Sequence, residues 1–191
     1  YAGSLFAHKG VHTAVEAMAV LNRSNCSDGL SLTIVGSGRP DYEEHLRTLV
    51  QAEGLMETVH FLGRVDRSEM AAVLNQFDVL LFPSAWPEPL ARMTQEAMAC
   101  GLPVLVSKRA GCAADFVKEG QTGWLLHPHD TGQMARTMAG MHQMDAEARV
   151  EMGEQARRVI AGWGLDRFCQ GVLESARIAV NYRRQRQDHG G

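Results

Sequence analysis

No apolar run in this sequence approaches the length of a membrane span. Its first 22 residues mix strand and helix signals, where a secretory leader would pair a charged start with an apolar block. Nor is there an excess of positive charge: 19 Lys and Arg stand against 22 Asp and Glu, a formal net charge of −3. That leaves no basic footprint for nucleic acid. Only four cysteines occur, Cys26, Cys100, Cys112 and Cys169, with no C-x-x-C among them. Free, buried thiols in a reducing cytosol are expected. Two phosphate-binding fingerprints are missing. Gly36-Ser37-Gly38 has no third glycine, because position 41 is Asp, and G-x-x-x-x-G-K-[ST] does not occur. His127 and His129 have no further ligand at a useful spacing, so they read as a surface loop. The chain opens on Tyr1, not Met, already inside a strand-like stretch, and is read as a piece of a longer protein.

What the sequence does contain is ordinary globular composition, 45% hydrophobic and 21% charged over 191 residues, enough for one domain with a core. Strand signals fall at 1–6, 30–35, 58–62, 78–82, 103–107 and 123–126, with helical periods between them to about residue 144. Asp66 with Glu69 reads as a capping box for the helix after the third strand. Two further helices, from Ala146 and Leu165, fill 145–186, and the basic tail reads as solvated. The strands are apolar on both faces, which predicts a parallel sheet covered on both sides. The expected fold is α/β: a Rossmann-like, doubly wound, six-stranded parallel sheet of order 3-2-1-4-5-6 with extra C-terminal helices.

The stretch Phe82–Gly101, FPSAWPEPLARMTQEAMACG, organises the rest. A buried strand runs into a loop stiffened by Pro83, Pro87 and Pro89, then into a helix read from Leu90, with Pro89 in its first turn. Gly101 and Pro103 end it. A helix start offers unpaired N–H groups and the positive end of the dipole, which suits a phosphate. Glu88 lies just outside that start and can accept from sugar hydroxyls; Glu96 lies roughly 10 Å further along the axis. Singly, such glutamates are mostly dipole partners or solvated residues. The strand order changes their weight. It sets the first and fourth strands side by side at the switch point, so their loops bring Lys9 and Glu88 to one crevice.

Six segments then fall in a telling order: GSLFAHKG, LTIVGSG, VHFLGRV, Pro83-Ser84 leading to Glu88-Pro89 with Glu96 eight residues on, EAMACGLPVLVS, and EGQTGWLL. Together they resemble the carboxyl-terminal, donor-binding half of a GT-B glycosyltransferase of family 4 (glycosyltransferase group 1), closely over residues 1–144 and loosely beyond. The resemblance implies roles residue by residue. Lys9 grips the donor diphosphate and Glu88 contacts the transferred sugar, the two catalytic positions. Glu96 binds the ribose hydroxyls. The backbone of Leu90 and Ala91 meets the phosphates, Arg64 and Val65 meet the base, and Gly36 lines the same pocket. Ser4 stands where the family often has arginine, which removes a bidentate clamp that Arg92 could replace. Ala91 stands where it often has glycine; the N–H survives, and little loss is expected.

By the same resemblance, residues 1–191 form a single nucleotide-sugar-binding domain of a two-domain protein whose N-terminal acceptor domain lies outside this chain. The implied activity is retaining transfer of a sugar from a nucleoside-diphosphate sugar, without metal or other cofactor. The location is cytoplasmic, with peripheral membrane association of the whole enzyme through the other domain, and the fragment alone is expected to be inactive. The alternatives are a non-catalytic scaffold on the same fold, an epimerase or phosphorylase-like GT-B enzyme, and a flavodoxin-type phosphate-binding domain. The two-glutamate loop argues against the epimerase and phosphorylase; the helices after the sixth strand argue against flavodoxin.

Overall fold

A computed structural model describes residues 1–188, with side chains through Arg183. The tail after that point, read above as solvated, lies outside the described side chains. Five short strands form: β1 (Leu32–Val35), β2 (Val59–Gly63), β3 (Leu80–Phe82), β4 (Val104–Ser107) and β5 (Gly123–Leu126). Every pairing is parallel. β1 pairs with β2, Leu32 opposite Val59; β4 lies between β3 and β5, with Val104 opposite both Leu80 and Gly123.

The first expected strand does not form as one. Residues 1–6 make two isolated parallel bridges, Ala2 with Val35 and Leu5 with Gly38. The segment still follows the free edge of β1: the Gly3 N–H donates to the Val35 carbonyl at 2.9 Å, and the Val35 N–H to the Tyr1 carbonyl at 2.8 Å. Gly3 and Ser4 interrupt it, and Ala7–Lys9 turns at once into a 3-10 helix, too little extended chain for a ladder. In place of six strands in one sheet there is a two-stranded and a three-stranded sheet. No ladder joins the first segment to β3 among the described residues.

The helices are α1 (Val11–Arg23), α2 (Pro40–Ala52), α3 (Met70–Leu74), α4 (Arg92–Ala99), α5 (Ala113–Phe116), α6 (Thr131–Gln143), α7 (Ala146–Ala161) and α8 (Leu165–Asp188). They cover both faces, and the period of two along the strands shows how. Leu81 and Leu105 point into one core with Ile34 and the apolar faces of α1, α2 and α6. Their neighbours Leu80, Phe82, Val104 and Val106 point into a second core with Met98, Phe116 and Ala156 of α4, α5 and α7. Each fully buried Val, Leu or Met contributes about 1.5–3 kcal/mol, so α1, with Val11, Val15, Met18 and Leu21 inside, is firmly held.

Several boundaries differ from the sequence reading. Asp66 does not cap α3; its carbonyl accepts from the Glu69 N–H in a turn, and the helix begins only at Met70. α4 begins at Arg92, two residues after Leu90, so Pro89 lies in the loop. Asp130 does cap α6, its side chain accepting from the Gln133 N–H at 2.7 Å. All four cysteines are free, but only Cys112 is buried; Cys26 lies in the turn after α1 and Cys169 on α8, both exposed. Burial raises the Cys112 thiol to a pKa of about 11, with Asp115 and Glu88 adding. His127 and His129 are exposed in the β5–α6 turn. Among the described residues, no helix is long and apolar enough to cross a membrane.

Candidate functional site

The carboxyl ends of the strands carry the site. The turn Ala7–Lys9 and the loop Pro83–Ala91 lie against each other there, joined through backbone. The His8 carbonyl accepts from the N–H groups of Ala85 (2.9 Å) and Trp86 (3.2 Å) and from the Ser84 hydroxyl (3.4 Å). Gly10 makes this approach possible. Its φ is +70°, and a Cβ there would stand 2.3 Å from the Pro83 carbonyl oxygen. Lys9, one residue earlier, therefore points at the loop, and its Nζ donates to Glu88 Oε1 in an ion pair. The two side chains are only 20% and 15% exposed, so the pair is less screened than a surface salt bridge. The Ser84 hydroxyl, itself buried, also lies 3.4 Å from Glu88 Oε1, so its single proton is shared between that carboxylate and the His8 carbonyl.

The loop is held from its other side by the turn after β4. The Gly111 N–H donates to the Glu88 carbonyl at 2.7 Å, and Arg109 Nη1 to the Ala85 carbonyl at 2.9 Å. The sequence reading did not find Arg109 or Gly111. The expected strand order carried the signal, because it placed the loops after the fourth and fifth strands next to each other. The effect is to fix Glu88 from both ends, through Lys9 and Ser84 at its carboxylate and Gly111 at its backbone.

Ala91 is buried and forms the N-cap of α4 with φ 44° and ψ 58°, the left-handed region. No side chain caps this helix start. Leu90 is exposed before it, and Arg92 is exposed as its first helical residue. Glu96 follows one turn later and is half-buried; among the described residues neither its carboxylate nor the Arg92 guanidinium has a hydrogen-bond or ion-pair partner. With the helix starting at Arg92, Glu96 lies about 6 Å along the axis from the start, closer than the sequence reading placed it.

A second rim forms where the first segment meets the ends of β1 and β2. Gly36 donates its N–H to the Gly63 carbonyl at 2.7 Å, and a Cβ on Gly36 would stand 1.9 Å from the Gly3 carbonyl oxygen. Ser4, Gly36 and Arg64 thereby share one edge. Ser4 is exposed and its carbonyl accepts from the buried Tyr1 phenol at 2.8 Å. That phenol's pKa is raised by burial and by the charges of Tyr42 and Glu88. Arg64 is exposed and Val65 half-buried. No group of three His, Cys, Asp or Glu side chains among the described residues could hold a metal ion. Chemically, the site offers one ammonium, one unblocked helix start and two half-buried carboxylates, one paired with Lys9 and one without a partner among the described residues, a set suited to an anion joined to a hydroxylated ligand.

The chain matches the family described as "Glycosyl transferases group 1" over residues 1–159, and it belongs to that family. It is 31% identical over 183 residues to the D-inositol 3-phosphate glycosyltransferase of Arthrobacter sp. (strain FB24), covering 95% of this chain and 42% of that protein. It is 31% identical over 158 residues to the glycogen synthase of Mycobacterium tuberculosis (strain ATCC 25618 / H37Rv), covering 83% of this chain and 36% of that protein. The crystal structure of Anabaena HepE in complex with UDP superposes with a TM-score of 0.80 at 26% identity, over 92% of this chain and 47% of that one. The chain thus spans less than half the length of these relatives. Its α/β architecture of parallel strands between two helical layers is the Rossmann-like arrangement of GT-B glycosyltransferases.

Proposed function

We propose that this chain, a member of the group 1 glycosyl transferases, is the donor-binding domain of a retaining, family 4 glycosyltransferase. It binds a nucleoside-diphosphate sugar and hands the sugar to an acceptor carried by a second domain. The observation that carries the reading is the Lys9–Glu88 pair, two residues 79 positions apart in sequence held together where the loops of the two sheets meet. Related proteins support the donor class: Anabaena HepE has been crystallised with UDP and with UDP-glucose.

In this mechanism Lys9 leaves Glu88 or shares itself with the donor diphosphate, and it stabilises the charge that grows on the leaving nucleoside diphosphate. The α4 start, through the N–H groups near Ala91 and Arg92, takes the same phosphates. Glu88, freed from part of its ion pair, faces the transferred sugar, and Glu96 takes the ribose hydroxyls. Gly36, Arg64 and Val65 line the base. Ser4 supplies one hydrogen bond where an arginine would clamp, and Arg92, with no competing acid, supplies the missing cation. No metal enters these steps; the cations come from the protein. The domain alone transfers nothing, and the whole enzyme works in the cytoplasm, reaching a membrane only through its other domain.

Calorimetric titration with UDP, GDP and ADP, with and without magnesium, tests this. One nucleotide binds selectively and without metal, and Glu96→Ala weakens it about 10- to 100-fold, the scale of charge-assisted hydrogen bonds to two hydroxyls. Silence towards all three nucleotides, here and in a longer chain carrying the second domain, favours the non-catalytic scaffold.

A further inference from the structure

Among the described residues, α8 contributes nothing to either core. It follows Gly162-Trp163-Gly164, and its start is fixed to the domain. Trp163 meets the buried Phe116 of α5 in a T-shaped contact, ring centroids 4.8 Å apart, and the Arg167 guanidinium lies 3.9 Å from the centre of the indole. From Gly164 to Arg183 every residue is exposed.

The apolar residues of α8 gather on one side. At 3.6 residues per turn, Leu165, Phe168, Val172, Leu173, Ala176 and Val180 fall within an arc of about 140°. The five larger side chains are between 50 and 81% exposed. Ile178 falls off the arc, as do Asp166, Arg167, Glu174 and Arg177. A helix draws most of its stability from packing such a face, and a continuous exposed apolar stripe marks a surface that another body covers.

We propose that the α8 stripe docks on the second domain of the longer protein and ties the donor half to the acceptor half. The inference rests on the two-domain reading for its partner; the stripe itself does not. Three observations choose this partner. The match to the family ends at residue 159, before α8, whereas the match to the Arthrobacter D-inositol 3-phosphate glycosyltransferase covers 95% of this chain, too much to leave α8 out, and only 42% of that protein. α8 is therefore shared with a much longer protein while lying outside the residues that match the family. The width of the arc fits a helix laid on a domain, because a seam between two copies of one helix needs only the narrower stripe of a coiled coil. Through Val180 the polar side carries two acids, Asp166 and Glu174, against two bases, Arg167 and Arg177, where a helix lying on an anionic membrane carries a basic face. Trp163 on Phe116 fixes how α8 leaves the domain, which keeps the ordering cost of docking low.

Hydrogen–deuterium exchange on this chain and on the longer polypeptide with the second domain tests it. The amides of residues 166–183 exchange at least about 100-fold more slowly in the longer protein, since burying several large apolar side chains opposes their opening. Phe168→Glu combined with Val172→Glu returns them to the fast rate there, leaves α4 and α7 protected, and changes neither the UDP affinity nor the melting midpoint of this chain. Equal, fast exchange of α8 in both proteins overturns the proposal. So does protection of this chain alone that grows with its concentration, which makes a second copy the occupant. Protection gained only on vesicles of phosphatidylcholine and phosphatidylserine overturns it too. Slowed α8 exchange in a longer protein that binds no nucleotide keeps the dock and sinks the donor reading; UDP binding with α8 still fast does the reverse.

Discussion

Ala91 holds a conformation that its side chain resists. At φ 44° its Cβ crowds the following carbonyl, a cost of about 1–2 kcal/mol that glycine does not bear. Glycine loses more entropy on folding, by about 0.4–1 kcal/mol, and gives up a buried methyl of the second core worth about 0.8 kcal/mol, so the opposing contributions nearly cancel. Ala91→Gly is expected to move the thermal midpoint by less than about 3 °C, on the usual scale for a domain this size. A midpoint that falls by more than that would show that the loop relaxes around alanine and bears no strain. The sequence showed that an N–H survives at 91 and suggested little loss; it could not show the angle. That angle follows from tertiary bonds, the Gly111 N–H on the Glu88 carbonyl above all, which fix how the chain enters α4. Lys9 and Glu88 were legible as candidates because residue type and topology both pointed to them. Arg109 was not, because an exposed arginine in a loop has no pattern until its acceptor is known.

At the scale of elements, the long helices followed from periodicity, and their contacts did not. α4 and α7 pack closely because α7 carries Gly153 where it crosses the end of α4. A Cβ on Gly153 would stand 1.8 Å from the Gly101 carbonyl oxygen, a backbone atom that cannot yield. Gly140 on α6 has nothing within 4 Å of the same built atom. The two make a matched pair. Alanine at either gains about 1 kcal/mol of helix propensity, but at 153 overpacking costs about 1–3 kcal/mol or more. Gly140→Ala should raise the denaturation midpoint and Gly153→Ala should lower it, in parallel chemical melts. Equal shifts would mean that α7 can move off α4. Short elements were the poorly legible ones. α3 and α5 run to only five and four residues, since a single turn is decided by what it packs on.

At the scale of the molecule, one junction ties three parts together. His12 of α1 meets the Tyr42 hydroxyl of α2 through Nδ1 at 2.9 Å, while His45 of α2 and His129 of the β5–α6 turn act on it through charge. Glu16, which accepts from the Thr131 hydroxyl at 3.3 Å, faces the same junction. Burial lowers the His12 pKa; Glu16 opposes, and His45 and His129 add. A histidine with a lowered folded pKa binds fewer protons folded than unfolded. Stability is therefore full above the unfolded value, about 6.5, and falls as pH drops from there to the folded value. Urea melts from pH 8 to 5 should show wild type losing stability relative to His12→Gln across that window. A constant difference between the two would remove His12 as the cause.

Composition, period and turn chemistry are local, and they determined by themselves the α/β class, the alternation of strand and helix, the apolar strands and the stretch that bears Glu88 and Glu96. Whether Tyr1–Phe6 becomes a strand, where α4 begins, and which groups surround Glu88 were left to the tertiary structure. Each depends on partners far along the chain: Val35 for the first segment, Gly111 for the entry to α4, and Lys9 for Glu88. A backbone hydrogen bond or an ion pair forms only when both groups arrive, and the sequence names the groups without giving the distance between them.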